Sequence, residues 1–397
     1  MPDIKHALFA LASIAACTSS PQSPQNDGPP PPAIPLQTAQ REAYTVAVNV
    51  GGQTLHALVD SGSSTLAFAG ATCTDCPSLA QVYTPGATAT DLGSEIEAAY
   101  GVGDWMGELY RDTVGLAGDT SSFPMKLGYI ESQDDFLTSG SDAEGIIGFN
   151  PFVEVQGTDT YISDRIAAGD TGVFAIQMCP YDGTLWFGGA DKTHEVSDEQ
   201  YTALAPISDQ QWLYEIALQS ATIGGTSINL SGAALPDTGT TIMVLPTAAA
   251  NALAAAVTAD AGFQSIFPGE KLGLSDADNL ACSLSTSKTA AEIDAALPKF
   301  EVTLNDLDGN PFTLSATATS SYLRGFGDYY CSFVGSVDDA PAIILGDAFL
   351  NSFISVFDPV NSKIGFAPQQ GCTVPDDAKV PAVPRVPFIH GHPGARA

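Results

Sequence analysis

The clearest pattern along the chain is a two-residue alternation of apolar and polar side chains in short runs. Residues 44–50 alternate in this way, are rich in β-branched side chains and are followed by Gly51 and Gly52, which predicts a strand and a tight turn. Residues 212–218 predict another strand, and the Ala-rich stretch 247–261 predicts a helix. The 38 glycines and 27 prolines favour short strands and turns. The pattern therefore predicts a mostly β, all-β class protein with short helices.

Two segments of the sequence echo each other. In both, an apolar run leads to an aspartate, which is followed by a hydroxyl residue, a glycine and two more hydroxyl residues. The segments are Ala57-Leu-Val-Asp60-Ser-Gly-Ser-Ser64 and Ala234-Leu-Pro-Asp237-Thr-Gly-Thr-Thr241. A second echo follows each, as Gly145-Ile-Ile-Gly148 and Ile343-Ile-Leu-Gly346. The repetition predicts two related β lobes, each carrying one aspartate loop and one later apolar strand.

The domain organisation follows from this repeat and from composition. At 397 residues the chain is long for one hydrophobic core. We expect an N-terminal lobe over residues 41–205 and a C-terminal lobe over residues 206–372. The Ser/Pro/Gln-rich segment 18–40 is predicted to be a tether, with regular structure starting at Tyr44. The Pro-rich tail 373–397 is predicted to be disordered.

Residues 1–17 are predicted to be a lipoprotein-type export signal. Lys5 and His6 precede an apolar stretch, 7–16, that is too short to span a bilayer, since a spanning helix needs roughly 20 residues. The run Ile14-Ala-Ala-Cys17 resembles the lipobox of bacterial lipoproteins, in which Cys17 would carry the lipid. This predicts a bacterial protein held by an acyl anchor on a membrane and facing the periplasm or cell exterior. The alternative is an ordinary signal peptide with an incidental cysteine, and a soluble periplasmic or secreted protein.

The remaining six cysteines suggest three disulfides, because an even number in an exported chain is typical of a disulfide framework. Six cysteines allow 15 pairings, and the spacing of Cys73 and Cys76 also matches a redox motif, although no βαβ pattern surrounds it.

The charge is strongly acidic. Lys and Arg number 14, Asp and Glu number 45, and the net charge is −31. Such a field repels nucleic acid, which excludes it as a partner class. It indicates a heavily solvated surface whose self-repulsion falls when carboxylates protonate at low pH.

The two aspartate loops carry the candidate chemistry. A glycine after the aspartate lets backbone N–H groups approach the carboxylate, the next hydroxyl can donate to it, and the first hydroxyl can bond across to the opposite loop. The candidate catalytic residues are Asp60 and Asp237, and the supporting residues are Ser61, Gly62, Ser63, Thr238, Gly239 and Thr240.

On these loops the chain resembles the pepsin family of aspartic endopeptidases from Tyr44 to Cys372. Further matching segments are Tyr100-Gly-Val-Gly103, Glu144-Gly-Ile-Ile-Gly148, Ile344-Leu-Gly-Asp-Ala-Phe-Leu350 and residues 357–368. The resemblance implies a bilobal acid-protease fold with a cleft between the lobes. It implies that Tyr100, with Gly101 and Gly103, forms a flap over the substrate. It also suggests the disulfides Cys73–Cys76 and Cys282–Cys331, which leaves Cys179–Cys372.

The implied reaction is hydrolysis of peptide bonds at acid pH. Two nearby carboxylates share one proton, so one can accept a proton from a water while the other donates to the peptide carbonyl. The family implies polypeptide substrates with apolar residues around the cut bond, and neither a cofactor nor a metal. A monomer is the default expectation. The rival hypothesis is an inactive, lipid-anchored peptide-binding or inhibitor protein on the same fold.

Several positions depart from the family pattern. Ser61 stands where Thr is usual, Glu144 replaces a common Asp, and Ala67 replaces a Trp that restrains the flap tyrosine in many relatives. Trp105 near the flap tip is a candidate to cover the cleft instead. Arg41 is the only Lys or Arg between Cys17 and Asp60, which predicts that no basic prosegment covers the cleft.

Overall fold

The computed structural model describes residues 30–38, 43–138, 143–151, 155, 157–205, 214–276, 279–326, 329–337 and 343–372. Strands account for 46% and helices for 13%, which confirms the all-β class. The predicted export signal with Cys17, the lobe boundary at Pro206 and the tail 373–397 lie outside the described residues. Within the described part, no helix is long and apolar enough to cross a membrane.

In the first half of the chain, the residues that the structure describes form ten strands, one helix and a short 3-10 turn. These are β1 (Ile34–Thr38), β2 (Tyr44–Val50), β3 (Gln53–Asp60), β4 (Leu66–Ala69), β5 (Thr90–Ala99), β6 (Asp104–Leu116), β7 (Ser122–Asp134), β8 (Gly145–Gly148), α1 (Tyr161–Ala167), β9 (Phe174–Met178), β10 (Asp182–Phe187) and the turn Lys192–His194.

The second half carries shorter strands and four helices. These are β11 (Gln200–Ala203), β12 (Ile216–Leu218), β13 (Ser220–Ile223), β14 (Thr226–Ser227), β15 (Gly232–Pro236), β16 (Met243–Pro246), α2 (Thr247–Ala259), α3 (Ala261–Ile266), β17 (Cys282–Leu284), α4 (Ala290–Ala296), β18 (Phe300–Asn305), β19 (Pro311–Ala316), β20 (Leu323–Phe326), β21 (Tyr329–Ser332), β22 (Val334–Val337), β23 (Ile343–Leu345), α5 (Asp347–Leu350), β24 (Phe353–Asp358) and β25 (Lys363–Pro368).

The sequence echo corresponds to a repeated strand arrangement. In the first half, β3 pairs in parallel with β8, which lies antiparallel to β4, and β4 is parallel to β7. In the second half, β15, β23, β16 and β22 have the same order and the same directions. Each strand that leads to an aspartate is therefore backed by the strand of the second echo. Strands β4 and β8 have continuous apolar sequences because both faces of each strand are buried.

One large sheet joins the two halves. Its 13 strands run in the order β11-β25-β24-β9-β10-β1-β2-β3-β8-β4-β7-β6-β5. The last two strands, β24 and β25, pair with β9 and β11. Three smaller sheets complete the second half, in the orders β12-β15-β23-β16-β22, β14-β13-β18-β19 and β17-β21-β20.

Regular structure begins earlier than Tyr44, so that prediction is wrong. Strand β1 lies within the segment predicted to be a tether, and it pairs with β2 on one side and with β10 on the other. Ile34 and Leu36 are each 2% exposed, whereas Pro35 and Gln37 are exposed. This alternation stabilises β1 by burying two apolar side chains between distant strands.

The helix predicted over 247–261 is two helices. The first, α2, ends at Ala259, and Asp260 has extended backbone angles. The Asp260 side chain accepts a hydrogen bond from Phe263 N–H and so caps α3.

The described residues form three disulfides: Cys73–Cys76, Cys179–Cys372 and Cys282–Cys331. The first and third have the pairing that the family resemblance implied, and Cys179–Cys372 is the pair that was left by elimination. The second joins residues 193 positions apart, next to the strands that the two halves share.

Candidate active site

The two aspartates stand at equivalent points of the repeated strand arrangement. Asp60 is the last residue of β3, and Asp237 directly follows β15. Both side chains are fully buried. The second-echo strands hold the backbone there, since Phe149 N–H donates to the Asp60 carbonyl at 2.7 Å and Asp237 N–H donates to the Leu345 carbonyl at 3.1 Å.

Each carboxylate accepts two hydrogen bonds from its own loop. Gly62 N–H donates to Asp60 Oδ1 at 2.8 Å, and the Ser63 hydroxyl donates to Asp60 Oδ2. In the other loop, Gly239 N–H donates to Asp237 Oδ1 at 2.9 Å and Thr240 Oγ1 donates to Oδ2 at 2.6 Å. These bonds replace water around a buried polar group and fix the orientation of both carboxylates.

The first hydroxyl residue of each loop bonds across to the other loop. Ser61 N–H donates to Thr238 Oγ1, and Thr238 N–H donates to Ser61 Oγ, both at 3.0 Å. The hydroxyls then donate onward, from Ser61 to the Pro236 carbonyl at 3.0 Å and from Thr238 to the Val59 carbonyl at 2.8 Å. Four reciprocal hydrogen bonds therefore lock the two loops together, and the serine at position 61 makes the same bonds as the threonine opposite.

The glycines show how closely the two loops approach. A Cβ atom on Gly62 would lie 2.6 Å from Asp237 Oδ1, and one on Gly239 would lie 2.6 Å from Asp60 Cγ. Each carboxylate is thus in contact with the backbone of the opposite loop, and no side chain larger than hydrogen fits between them. The arrangement brings two carboxyl groups into one buried, hydrogen-bonded site with two-fold local symmetry.

Comparison with known proteins agrees with this geometry. The family model described as eukaryotic aspartyl protease matches residues 43–369. The chain belongs to this family.

Three relatives named as an aspartic protease, a rhizopuspepsin and a beta-secretase are 25–28% identical to this chain. An aspartic protease of Phaffia rhodozyma is 25% identical over 331 residues, which cover 82% of this chain and 76% of the relative. Rhizopuspepsin-3 of Rhizopus niveus is 28% identical over 333 residues, covering 81% and 77%. A beta-secretase of Strongylocentrotus purpuratus is 26% identical over 366 residues, covering 82% and 66%. Family membership and the three disulfides indicate a secreted or extracellular aspartyl protease family member.

A third carboxyl group, for which the sequence analysis predicted no role, lies close to the aspartate pair. Asp347 begins α5, is 1% exposed, and its N–H donates to the Thr240 carbonyl at 2.7 Å. Its carboxyl oxygens have no hydrogen-bond partner among the described residues. Burial raises the pKa of Asp347 well above its ordinary value, Arg324 opposes this, and the negative charges of Asp237 and Asp60 add to it. The only signal in the sequence is one acidic residue inside an apolar run.

The predicted flap is the tip of the β5–β6 hairpin. Tyr100 N–H donates to the Gly103 carbonyl at 2.9 Å, and Gly103 has φ +79°, which closes the turn. The Tyr100 ring is 8% exposed and stacks on Phe136, with ring centroids 5.1 Å apart. The tyrosine at the hairpin tip is therefore packed into an aromatic cluster.

Trp105 is a core residue, which differs from the prediction that it covers the cleft. It is 1% exposed and lies in one hydrophobic cluster with Tyr100 and Phe136. A Cβ atom on Gly128 would lie 2.5 Å from Trp105 Cη2 and 3.1 Å from the Ala67 methyl group. The indole thus fills the space beside the small Ala67 side chain, and this packing fixes it under the hairpin.

Glu144 has a structural contact in this member of the family. Its carboxylate accepts a hydrogen bond from His56 N–H at 2.6 Å and lies 3.4 Å from His56 Nδ1. It joins the start of β8 to the middle of β3, away from the end of β3 where Asp60 lies.

Proposed function

We propose that this protein is an aspartic endopeptidase that hydrolyses peptide bonds at acid pH, with Asp60 and Asp237 as its catalytic residues. The observation that carries the proposal is the reciprocal bonding of Ser61 and Thr238, which joins two equally built carboxylate loops. The family match supports peptide hydrolysis as the activity. Ser63, Gly62, Gly239 and Thr240 are supporting residues that hold the carboxylates.

The mechanism follows from repulsion between like charges. Two carboxylates in one buried site cannot both ionise easily, so the pair holds one proton. A water held between them loses a proton to the ionised carboxylate and attacks the peptide carbonyl. The protonated carboxyl donates its proton to the carbonyl oxygen as negative charge develops there. The tetrahedral intermediate then breaks down: the C–N bond cleaves, the amine nitrogen takes the proton that came from the water, and the other carboxylate regains a proton from the intermediate's hydroxyl. Because the two carboxyl groups are coupled, neither the proton-accepting role nor the proton-donating role is assigned to one residue.

The substrates we propose are polypeptides with apolar residues on both sides of the cut bond. The resemblance to the family implies this preference, and apolar side chains gain free energy when they leave water. Tyr100, Gly101 and Gly103 would then form the flap that closes over the peptide. We expect a monomer.

The test is cleavage of an internally quenched peptide with apolar central residues, measured from pH 2 to 7 with and without pepstatin. Cleavage should peak at acid pH and be blocked by pepstatin. Asp60→Asn and Asp237→Asn should each lower kcat/KM by about 100- to 10,000-fold, the usual loss when an acid–base group is removed. Asp182→Asn, which changes an exposed carboxylate of β10, is the matched control and should keep full activity.

Two results would contradict the proposal. Full activity in either aspartate variant would exclude the paired mechanism. A folded wild-type protein that cleaves no peptide across the pH range would favour the peptide-binding or inhibitor function instead.

For localisation, we propose that Cys17 is lipidated and anchors the protein to a bacterial membrane, since residues 14–17 match a lipobox. Labelled palmitate should be incorporated into the wild-type protein and not into Cys17→Ser. Equal labelling of both proteins would exclude this site.

A further inference from the structure

The side chain of Gln133 bridges two loops beside the hairpin tip. It lies near the end of β7 and is half-buried. Its Nε2 donates to the Asp75 carbonyl at 2.8 Å, while its Oε1 accepts from Phe136 N–H at 2.7 Å and from Leu137 N–H at 2.9 Å. One amide group thus satisfies three backbone groups, using both its donor and its acceptor.

The backbone needs this acceptor because it turns sharply after β7. Asp135 has φ +49°, a left-handed conformation that non-glycine residues rarely adopt. That turn points the N–H groups of Phe136 and Leu137 back towards Gln133. Without the amide oxygen, neither N–H group would keep this bond, and the strained turn at Asp135 would lose its main support.

The turn carries the ring on which the hairpin tip rests. Phe136 is 1% exposed and stacks on Tyr100. A Cβ atom on Gly103 would lie 2.6 Å from Phe136 N, so the tip also packs against the Phe136 backbone. The position of Tyr100 therefore depends on the position of Phe136.

The Gln133 Nε2 group donates to a carbonyl in a loop that is closed by a disulfide. Asp75 lies between Cys73 and Cys76, which are bonded to each other and pack against the same hydrophobic cluster as Tyr100. The loop is fixed further by Cys73 N–H, which donates to the Gly70 carbonyl at 3.0 Å, and by Thr74 N–H, which donates to the Glu131 carbonyl at 3.2 Å. The Gln133 amide thus donates to a carbonyl in a loop that a disulfide and two backbone hydrogen bonds hold in place.

We infer that Gln133 is a positioning residue for peptide binding, which holds Phe136, and through it Tyr100 and the hairpin tip, against the Cys73–Cys76 loop. The inference rests on the proposed peptidase function. Gln133 makes none of the hydrogen bonds that hold Asp60 and Asp237, so its loss should weaken substrate binding and leave the chemical step largely intact.

The first experiment compares Gln133→Leu with wild type on the quenched peptide. KM should rise about fivefold or more, as expected when a neutral hydrogen bond that orders the binding site is lost, while kcat stays within about twofold. Gln81→Leu, the same change at an exposed position, is the control and should leave KM unchanged. An unchanged KM in Gln133→Leu would overturn the inference.

The second experiment uses Gln133→Glu. A protonated carboxyl can accept from the two N–H groups and donate to the Asp75 carbonyl, whereas an ionised one can only accept. KM should therefore be close to wild type below the ordinary Glu pKa of about 4.3 and rise above it. A purely structural role would produce no such pH dependence of KM, and a flat profile that matches Gln133→Leu would contradict the bridge.

The disulfide loop is tested by Cys73→Ser/Cys76→Ser. Loosening the loop should raise KM as Gln133→Leu does, and the combined variant should be little worse than either, because both changes break one connection. Fully additive effects on KM would mean that the loop and the glutamine act separately.

Amide hydrogen exchange separates this inference from the proposed function. In Gln133→Leu, exchange should accelerate at Phe136 and Leu137 and at residues 100–103, whether or not the wild type cleaves peptides. If the wild type is inactive, the peptidase function fails and exchange alone decides whether the bridge holds the tip. Unchanged exchange at these residues, or faster exchange with an unchanged KM, would overturn the positioning role.

Discussion

Gly62 and Gly239 are the residues that allow the two carboxylates to share a site. Each faces the carboxylate of the opposite loop at a distance that excludes any β-carbon. The hydroxyls beside them have matching roles, since Ser61 and Thr238 form the same pair of bonds in both directions. The site therefore requires glycine at both of these positions as much as it requires the two aspartates.

Gly62→Ala should therefore impair activity strongly. The new methyl group must displace the Asp237 carboxylate or the loop itself, and a displacement of about 1 Å can cost about 100-fold in rate. The measurement is kcat/KM on the quenched peptide, with the thermal midpoint recorded to exclude unfolding. Gly86→Ala is the control, because a Cβ atom there meets nothing within 4 Å. Equal activity of Gly62→Ala and wild type would show that the loops are farther apart than described.

The β5–β6 hairpin is the element whose packing differs most from the expectation. Its tip tyrosine rests on Phe136, and Trp105 lies inside the cluster next to Ala67. The large Trp105 side chain of the hairpin and the small Ala67 side chain of β4 together fill one part of this hydrophobic cluster. The hairpin is thus attached to the body of the protein through aromatic packing beside Ala67.

Trp105→Ala should destabilise the fold by about 3–5 kcal/mol, the range for deleting a large buried aromatic side chain. Denaturant unfolding monitored by circular dichroism measures this. Trp105→Phe, which leaves a smaller cavity, should cost clearly less. A neutral Trp105→Ala would mean that the indole is not packed against Gly128 and Ala67.

The elements also show why the sequence predicts some features and not others. The aspartate loops are local motifs, so Asp60, Asp237 and their glycines could be found from the sequence. Strand β1 could not, because it is short, contains Pro35 and gains its stability from β2 and β10, which are distant in the sequence. The Gln133 bridge and the burial of Asp347 likewise depend on contacts that only the folded chain creates.

At the scale of the whole molecule, the net charge is −31, and the pH dependence of stability also depends on individual buried carboxyl groups. Glu195 is buried, and its Oε1 has no hydrogen-bond partner among the described residues. Burial and the neighbouring Glu199 raise the pKa of Glu195 from 4.5 to about 7, although Lys192 opposes this from 3.1 Å. Tyr201 nearby has its pKa raised by burial and by the charges of the same carboxylates.

The stability of the fold should therefore fall as the pH rises from about 4.5 to about 7. In that window the folded protein keeps a proton on Glu195 that the unfolded chain releases, so rising pH favours unfolding. Below the window both states are protonated, and this contribution is constant.

Thermal midpoints across pH 3–8 measure this effect. Glu195→Gln should be more stable than wild type at pH 7.5, by roughly 2–4 °C for each kcal/mol gained, and similar at pH 4. Glu97→Gln, at an exposed position on β5, is the control and should follow the wild-type curve. A parallel decline in Glu195→Gln and wild type would assign the pH dependence to other groups.

The sheet that joins the two halves has a consequence for synthesis. Strands β24 and β25 are among the last described residues, yet they cover β9 and β11, which leave the ribosome much earlier. Until residues 353–368 emerge, β9 keeps an unpaired edge and β11 has no strand beside it, and open edges invite pairing with other chains. The nascent first half therefore keeps an open, aggregation-prone edge from the time β9 emerges until residues 353–368 follow and cover it.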